Sequence, residues 1–156
     1  MKEHIQAIIN REKQYPQEER MLYHYNCAET LLIAADRKYS LNVPEEYVKL
    51  VLPYGGGMNT GHTCGALLGA LAAFGRLYGE DKPTLNTKMK AAVKAYVHLF
   101  EETFHSLDCA EIRPAFKDEN GSCAPVMVKA GELFDYVSEH IDEICEEERK
   151  KQAEKK

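Results

Sequence analysis

The sequence has no C-x-x-C-H and no H-E-x-x-H, and its cysteines never come as C-x-x-C. The first absence removes a covalently attached haem and the second a zinc-protease helix; His98, His105 and His140 do not pair with a helical Glu at that spacing. Without C-x-x-C, any pair of thiols or any set of ligands has to meet through the fold. No G-x-S-x-G elbow and no ordered Ser-His-Asp set supports serine chemistry. Positive charge is scarce: 20 Lys and Arg against 25 Asp and Glu leave a net charge of -5, which excludes nucleic acid as the expected main partner. Long apolar runs are missing too. The longest, Cys64 to Gly75, stops at Arg76 and is too short to cross a bilayer, so no membrane insertion is expected. The polar stretch "MKEHIQAIINREKQYPQEER" has no apolar core of an export signal. The expectation is a soluble, cytoplasmic protein.

What is present is helical periodicity. Ile5, Ile8 and Ile9 mark an amphipathic segment over 4–12, and Cys27, Leu31, Ala34 and Ala35 share one side of 27–39. Pro44 opens a short helix to about Leu52, with Glu45 and Glu46 in its first turn, and Pro53 and the glycines end it. Over 64–78, Cys64, Leu67, Leu68, Leu71, Phe74 and Tyr78 form an inward stripe, while Gly65, Gly69 and Ala72 leave room for a second helix backbone. Further helices are expected over 85–104, as a short turn near 109, and over 123–148. No strand, repeat or linker is visible. The fold class is therefore all-α: a single compact domain of five or six helices without significant sheet. It is expected to span 1–148, with a charged, solvated tail at 149–156.

Five cysteines, at 27, 64, 109, 123 and 145, are too dispersed for a disulfide scaffold. Four of them follow a residue type favoured at a helix N-cap: Asn26-Cys27, Thr63-Cys64, Asp108-Cys109 and Ser122-Cys123. Glu29 and Glu111 add capping-box spacing to the first and third. Each of the four is thus expected at the first position of a helix, where free N–H groups and the positive dipole end favour a thiolate. Cys145 follows Ile144 inside a helical segment and lacks this signature. A small buried thiol is the plainer explanation of any one cysteine, but four helix mouths can converge on one site.

The loop "GGGMNTG" carries Gly55, Gly56 and Gly57 ahead of Cys64 and Gly65. It has neither the lysine of a P-loop nor the spacing G-x-G-x-x-G. Its glycines fit either a tight turn or a nest of N–H groups turned toward an anion, the Cys64 thiolate among the candidates. With His62 two residues before it, Cys64 is expected to be the most acidic thiol; His24, three residues before Cys27, reads as a surface residue.

The order Cys27, "GGGM", "CGALLG" from Cys64 to Gly69, Cys109 and Cys123 resembles a family of redox-active proteins named for the pattern C…GCAxxG…C…C. Thr63 stands where the family name has Gly. The resemblance covers about residues 20 to 140 and implies a small, mostly helical, bacterial or archaeal cytoplasmic protein with redox activity. A related segment accompanies haem domains in some cytochromes, where an iron–sulfur centre is associated with it; no haem is carried over to this chain. Three functional readings stand side by side. Cys27, Cys64, Cys109 and Cys123 hold an iron–sulfur cluster or another thiolate-bound metal for electron transfer with an unknown redox partner. Or they are redox thiols without metal, Cys64 attacking. Or the chain is a non-enzymatic helical metal-binding or scaffold module. A homo-oligomer is compatible with all three.

Overall fold

A computed structural model describes residues 1–82 and 84–154. Among these it contains eight α-helices and no strand. The helices are α1 (Lys2–Arg11), α2 (Cys27–Tyr39), α3 (Glu45–Val48), α4 (Gly65–Tyr78), α5 (Thr87–Phe104), α6 (Cys109–Phe116), α7 (Ala124–Glu139) and α8 (Ile141–Ala153). The all-α class agrees with the sequence; the number of helices exceeds the five or six expected. One extra element comes from the 123–148 segment, which is broken at His140. There both the His140 N–H and its ring Nδ1 lie on the Tyr136 carbonyl, at 3.1 and 2.9 Å, and α7 ends. Helix α8 then turns back along α5, tied by Lys88 to Asp142 at 2.9 Å and Lys94 to Glu148 at 3.0 Å. The charged tail is also more ordered than expected: α8 continues through Ala153, while Lys155 and Lys156 lie outside the described residues.

Helices α1, α2, α4, α5 and α7 surround the core. At its centre Phe74 of α4 stacks on Phe134 of α7 with ring centroids 4.1 Å apart, and Tyr96 of α5 meets Phe74 edge-on at 5.3 Å. Tyr96 is fully buried and donates its hydroxyl to the Ala130 carbonyl at 3.1 Å, so its polar end is satisfied. The small-residue face of α4 does what its composition suggests. A Cβ on Gly69 would fall 2.2 Å from the Ala28 carbonyl oxygen, so α2 and α4 cross backbone against backbone.

A second fastening lies on the opposite flank. Asp135 of α7 accepts from the Met1 α-amino group, from Lys38 at 2.9 Å and from the Tyr39 hydroxyl at 2.7 Å. Burial would raise its pKa, but these three donors hold the carboxyl below the usual range.

Candidate functional site: a cleft lined by three thiols

The helix starts place the thiols, in two different ways. Cys27 opens α2 as its first residue, behind a complete capping box: the Asn26 side chain accepts from the Ala28 and Glu29 N–H groups, and the Glu29 carboxylate accepts from the Asn26 N–H at 2.9 Å. Cys109 likewise opens α6, but Asp108 makes no side-chain cap. Cys64 and Cys123 are themselves the cap residues of α4 and α7 rather than first residues. For Cys64 the cause is a neighbour. Its N–H donates to the Leu107 carbonyl at 2.7 Å and the Cys109 N–H donates to the His62 carbonyl at 2.8 Å, an isolated antiparallel bridge at Thr63 and Asp108 that keeps the chain extended there. For Cys123 the start is set by Pro125 in the first turn and by the Ser122 hydroxyl, which accepts from Ala124 N–H at 3.1 Å.

Cys27, Cys109 and Cys123 line one cleft of about 480 Å³, together with Gly56, Asn26, Glu12, His24, Arg113 and Met127 among others. Cys27 and Cys123 are half-buried there and Cys109 is nearly closed off. Cys64 is buried and does not line the cleft. All five cysteines are free thiols, and Cys145 sits apart in α8.

The thiols differ in acidity, and not in the order expected. Interaction with the Cys27 thiol, with a smaller contribution from the Arg113 cation and against the pull of burial, lowers the Cys123 pKa to about 6. The same interaction, then burial, pushes Cys27 well above its ordinary value. Cys64, expected to be the most acidic, goes up to about 11, because burial penalises its thiolate more than the helix helps it. The N–H groups that do favour its thiolate belong to Ala66 and Leu67 in its own helix, although the sulfur makes no regular capping bond. Burial also raises Cys109, with Arg113 acting against it.

Of the two roles open to the glycine loop, its backbone has the form of a tight turn. Gly56, Gly57, Met58 and Asn59 have φ of 59, 64, 58 and 57°, a left-handed turn that includes two residues with side chains. Left-handed backbone costs about 1–2 kcal/mol for such residues and tends to gather at functional sites. The loop closes on itself: the Gly57 carbonyl accepts from the His62 N–H at 3.1 Å and from the Thr60 hydroxyl at 2.9 Å. Its glycines are spacers. A Cβ on Gly57 would stand 2.3 Å from the His62 oxygen and 2.8 Å from the Cys109 Cβ, one on Gly55 2.9 Å from the Asn26 side chain, and one on Gly65 2.7 Å from the Tyr54 carbonyl. The ring of His62 is exposed, and its contribution is the backbone carbonyl that anchors Cys109.

Sequence reasoning missed Arg113; His24 is the exposed residue expected, with an ion-pair partner that the sequence did not name. His24 lines the cleft and bonds Glu12 through Nδ1 at 2.6 Å. Arg113 lies one helical turn after Cys109, a spacing that puts both on one face and was available as a signal.

The donor set is chemically suited to a soft metal. A single four-coordinate ion with metal–sulfur bonds near 2.3 Å needs its thiolates about 4 Å apart. Among the described residues no three of His, Cys, Asp or Glu form such a group, so the arrangement does not fit one ion as it stands. No described helix is long and apolar enough to cross a membrane.

Three of the four thiols at the helix starts of this all-helical chain line one cleft, and Cys64 is buried outside its lining. Residues 25–137 match the family described as "Putative redox-active protein (C_GCAxxG_C_C)", and the chain is a member of that family. No curated protein and no solved structure matches it.

Proposed function

We propose that the chain is a thiol–disulfide redox protein whose working pair is Cys123 and Cys27, with Cys123 as the attacking thiol. The observation that carries this reading is that Cys27 and Cys123, both half-buried, line the same open cleft. Cys123 is accessible and its thiolate is stabilised by the Cys27 S–H and Arg113, whereas Cys64 is buried and protonated at neutral pH. The Cys123 thiolate attacks one sulfur of a substrate disulfide, that S–S bond breaks, and one thiolate leaves. Cys27 then gives its proton to the departing sulfur and attacks Cys123 Sγ in the mixed disulfide. The second substrate thiolate is released, the substrate has gained two electrons, and the protein holds a Cys27–Cys123 disulfide.

A second reading draws on the four-cysteine pattern of the matched family and on the affinity of thiolates for soft metals. Cys27, Cys64, Cys109 and Cys123 would then hold an iron–sulfur cluster, which supplies one-electron transfer. One experiment separates the two. Protein purified without oxygen is examined for visible absorbance, iron and sulfide, then oxidised mildly and its thiols counted. The thiol–disulfide reading expects a colourless protein that loses two thiols, with Cys27 and Cys123 peptides joined in mass spectrometry. A brown protein with stoichiometric iron and sulfide, or a disulfide joining another pair, overturns it.

A further inference from the structure

The cleft also holds a cation that no carboxylate answers. Arg113 lines it from α6 and is exposed, and it forms no ion pair among the described residues. The other charges there are already engaged. His24 and Glu12 pair with each other, and the Asp118 carboxylate beside Cys123 accepts the N–H groups of Asn120 and Ser122, each at 2.9 Å. A guanidinium offers a planar fork of donors that matches a carboxylate or similar anion, and here that fork stands next to the attacking sulfur. The remaining wall includes Ile9, Met21 and Met127, which suits the organic body of a ligand. A volume of about 480 Å³ is that of a small-molecule site. Cys123 lies half-buried inside this cleft and not on a convex face, so a compact disulfide reaches it more readily than one held on a flat protein surface.

We propose that Arg113 is a specificity residue that selects low-molecular-weight disulfides carrying an anionic group close to the S–S bond. The proposal rests on the thiol–disulfide reading above. The anionic end docks on Arg113, which brings the nearer sulfur to Cys123 Sγ, and the exchange then follows the sequence of bond changes already given. With a net charge of -5 the chain as a whole repels anions. A preference for an anionic disulfide is therefore a local property of the cleft.

The test uses two aromatic disulfides that report each exchange by absorbance: dithiobis(nitrobenzoate), which carries two carboxylates, and dithiodipyridine, which is neutral at pH 7. Second-order rates at Cys123 are measured for the reduced full chain and for Arg113→Gln, Arg113→Glu and Arg113→Lys, with circular dichroism to confirm the fold. The ratio of anionic to neutral rate is read, because any change in Cys123 nucleophilicity cancels in it. The ratio is expected to fall about tenfold in Arg113→Gln and further in Arg113→Glu, and less in Arg113→Lys, which keeps the charge without the fork. Added salt should lower the ratio in the unmodified chain and should not lower it in Arg113→Gln, where only the repulsion by the net negative charge is left to screen. A ratio unchanged within about twofold in both Arg113→Gln and Arg113→Glu, with Cys123 still reactive, overturns the role of Arg113 and leaves the thiol–disulfide reading intact. A Cys123 that reacts with neither probe overturns both.

Discussion

Gly57 lies directly beneath Cys109: a Cβ added to it would stand 2.8 Å from the Cys109 Cβ and 2.3 Å from the His62 carbonyl oxygen. Its neighbour Gly56 has a similar positive φ but open space around the same position. The two glycines therefore separate backbone strain from steric exclusion. Gly56→Ala should cost about 1 kcal/mol. Gly57→Ala should cost about 3 kcal/mol, since the clash adds to the strain and falls on backbone that has nowhere to go. Denaturant unfolding measures both. Alkylation of Cys109 under conditions where the variants are folded should change in Gly57→Ala alone.

The pH dependence of thiol reactivity follows from the two pKa values that bracket neutrality. Only the thiolate is alkylated, so the rate at each cysteine rises with pH and levels off above its pKa. Cys123, at about 6, should be half-maximal near pH 6 and flat by about pH 7.5. Cys64, at about 11, should still be rising at pH 9. Cys27→Ala removes the thiol that contributes most to the low Cys123 pKa, and the Cys123 profile should move to higher pH. Mass spectrometry of alkylated peptides over a pH series tests each statement, and equal rates for Cys64 and Cys123 at pH 7 would contradict the assignment of the attacking thiol.

Asn26 couples a helix start to the glycine loop. Its Oδ1 caps α2 while its Nδ2 donates to the Leu52 carbonyl at 3.0 Å. Asn26→Ala should destabilise by about 1–2 kcal/mol, the upper part of the range for a lost cap. Asn26→Asp keeps the cap but has no donor for Leu52, so it should recover most of the stability. Thermal unfolding of the two variants side by side distinguishes the cap from the tether.

Asp135 predicts an acid limb to stability. Its pKa is lowered in the folded chain, so its contribution is fully present above the ordinary carboxylate pKa and is lost as pH falls toward and below the depressed folded value. Asp135→Asn should cost about 2–3 kcal/mol near neutrality, less than a fully buried pair because the carboxylate is partly exposed. The difference between the variant and the parent should shrink below pH 4. A difference that persists unchanged at pH 3 would show that the aspartate acts by packing rather than by charge.

Helix α2 could be read from the sequence to the residue, because Asn26 and Glu29 form a purely local signal. The same logic placed Cys64 and Cys123 one position too far inside their helices. Cys64 is held extended by its bond to Leu107, a partner far along the chain, and no local pattern encodes that. The break at His140 was hidden for a related reason: apolar residues continue at helical spacing across it, and what separates α7 from α8 is the docking of α8 on α5. The placing of Cys27, Cys109 and Cys123 around one cleft agrees with their shared position after cap residues, while Cys64 is buried outside its lining. The ranking of the thiols in acidity was not legible, since burial and the Cys27–Cys123 interaction exist only once the helices are packed.

The crossing at Gly69 and Ala28 divides the site into an anvil and a moving jaw. Cys27 and Cys64 head two helices locked to each other through backbone atoms, with no side chain between them to give way. Cys123 instead follows the turn from Asp118 to Ser122, which is held by three N–H groups on one aspartate residue and bends at Gly121 with φ of 78°. A sulfur–sulfur bond is much shorter than the contact of two free thiols. When Cys27 and Cys123 join, the displacement falls on the 118–123 turn and the start of α7, while the α2–α4 pair holds still. In the proposed thiol–disulfide cycle, oxidation and reduction would then register as a rearrangement of one lip of the cleft, the lip that carries Cys123.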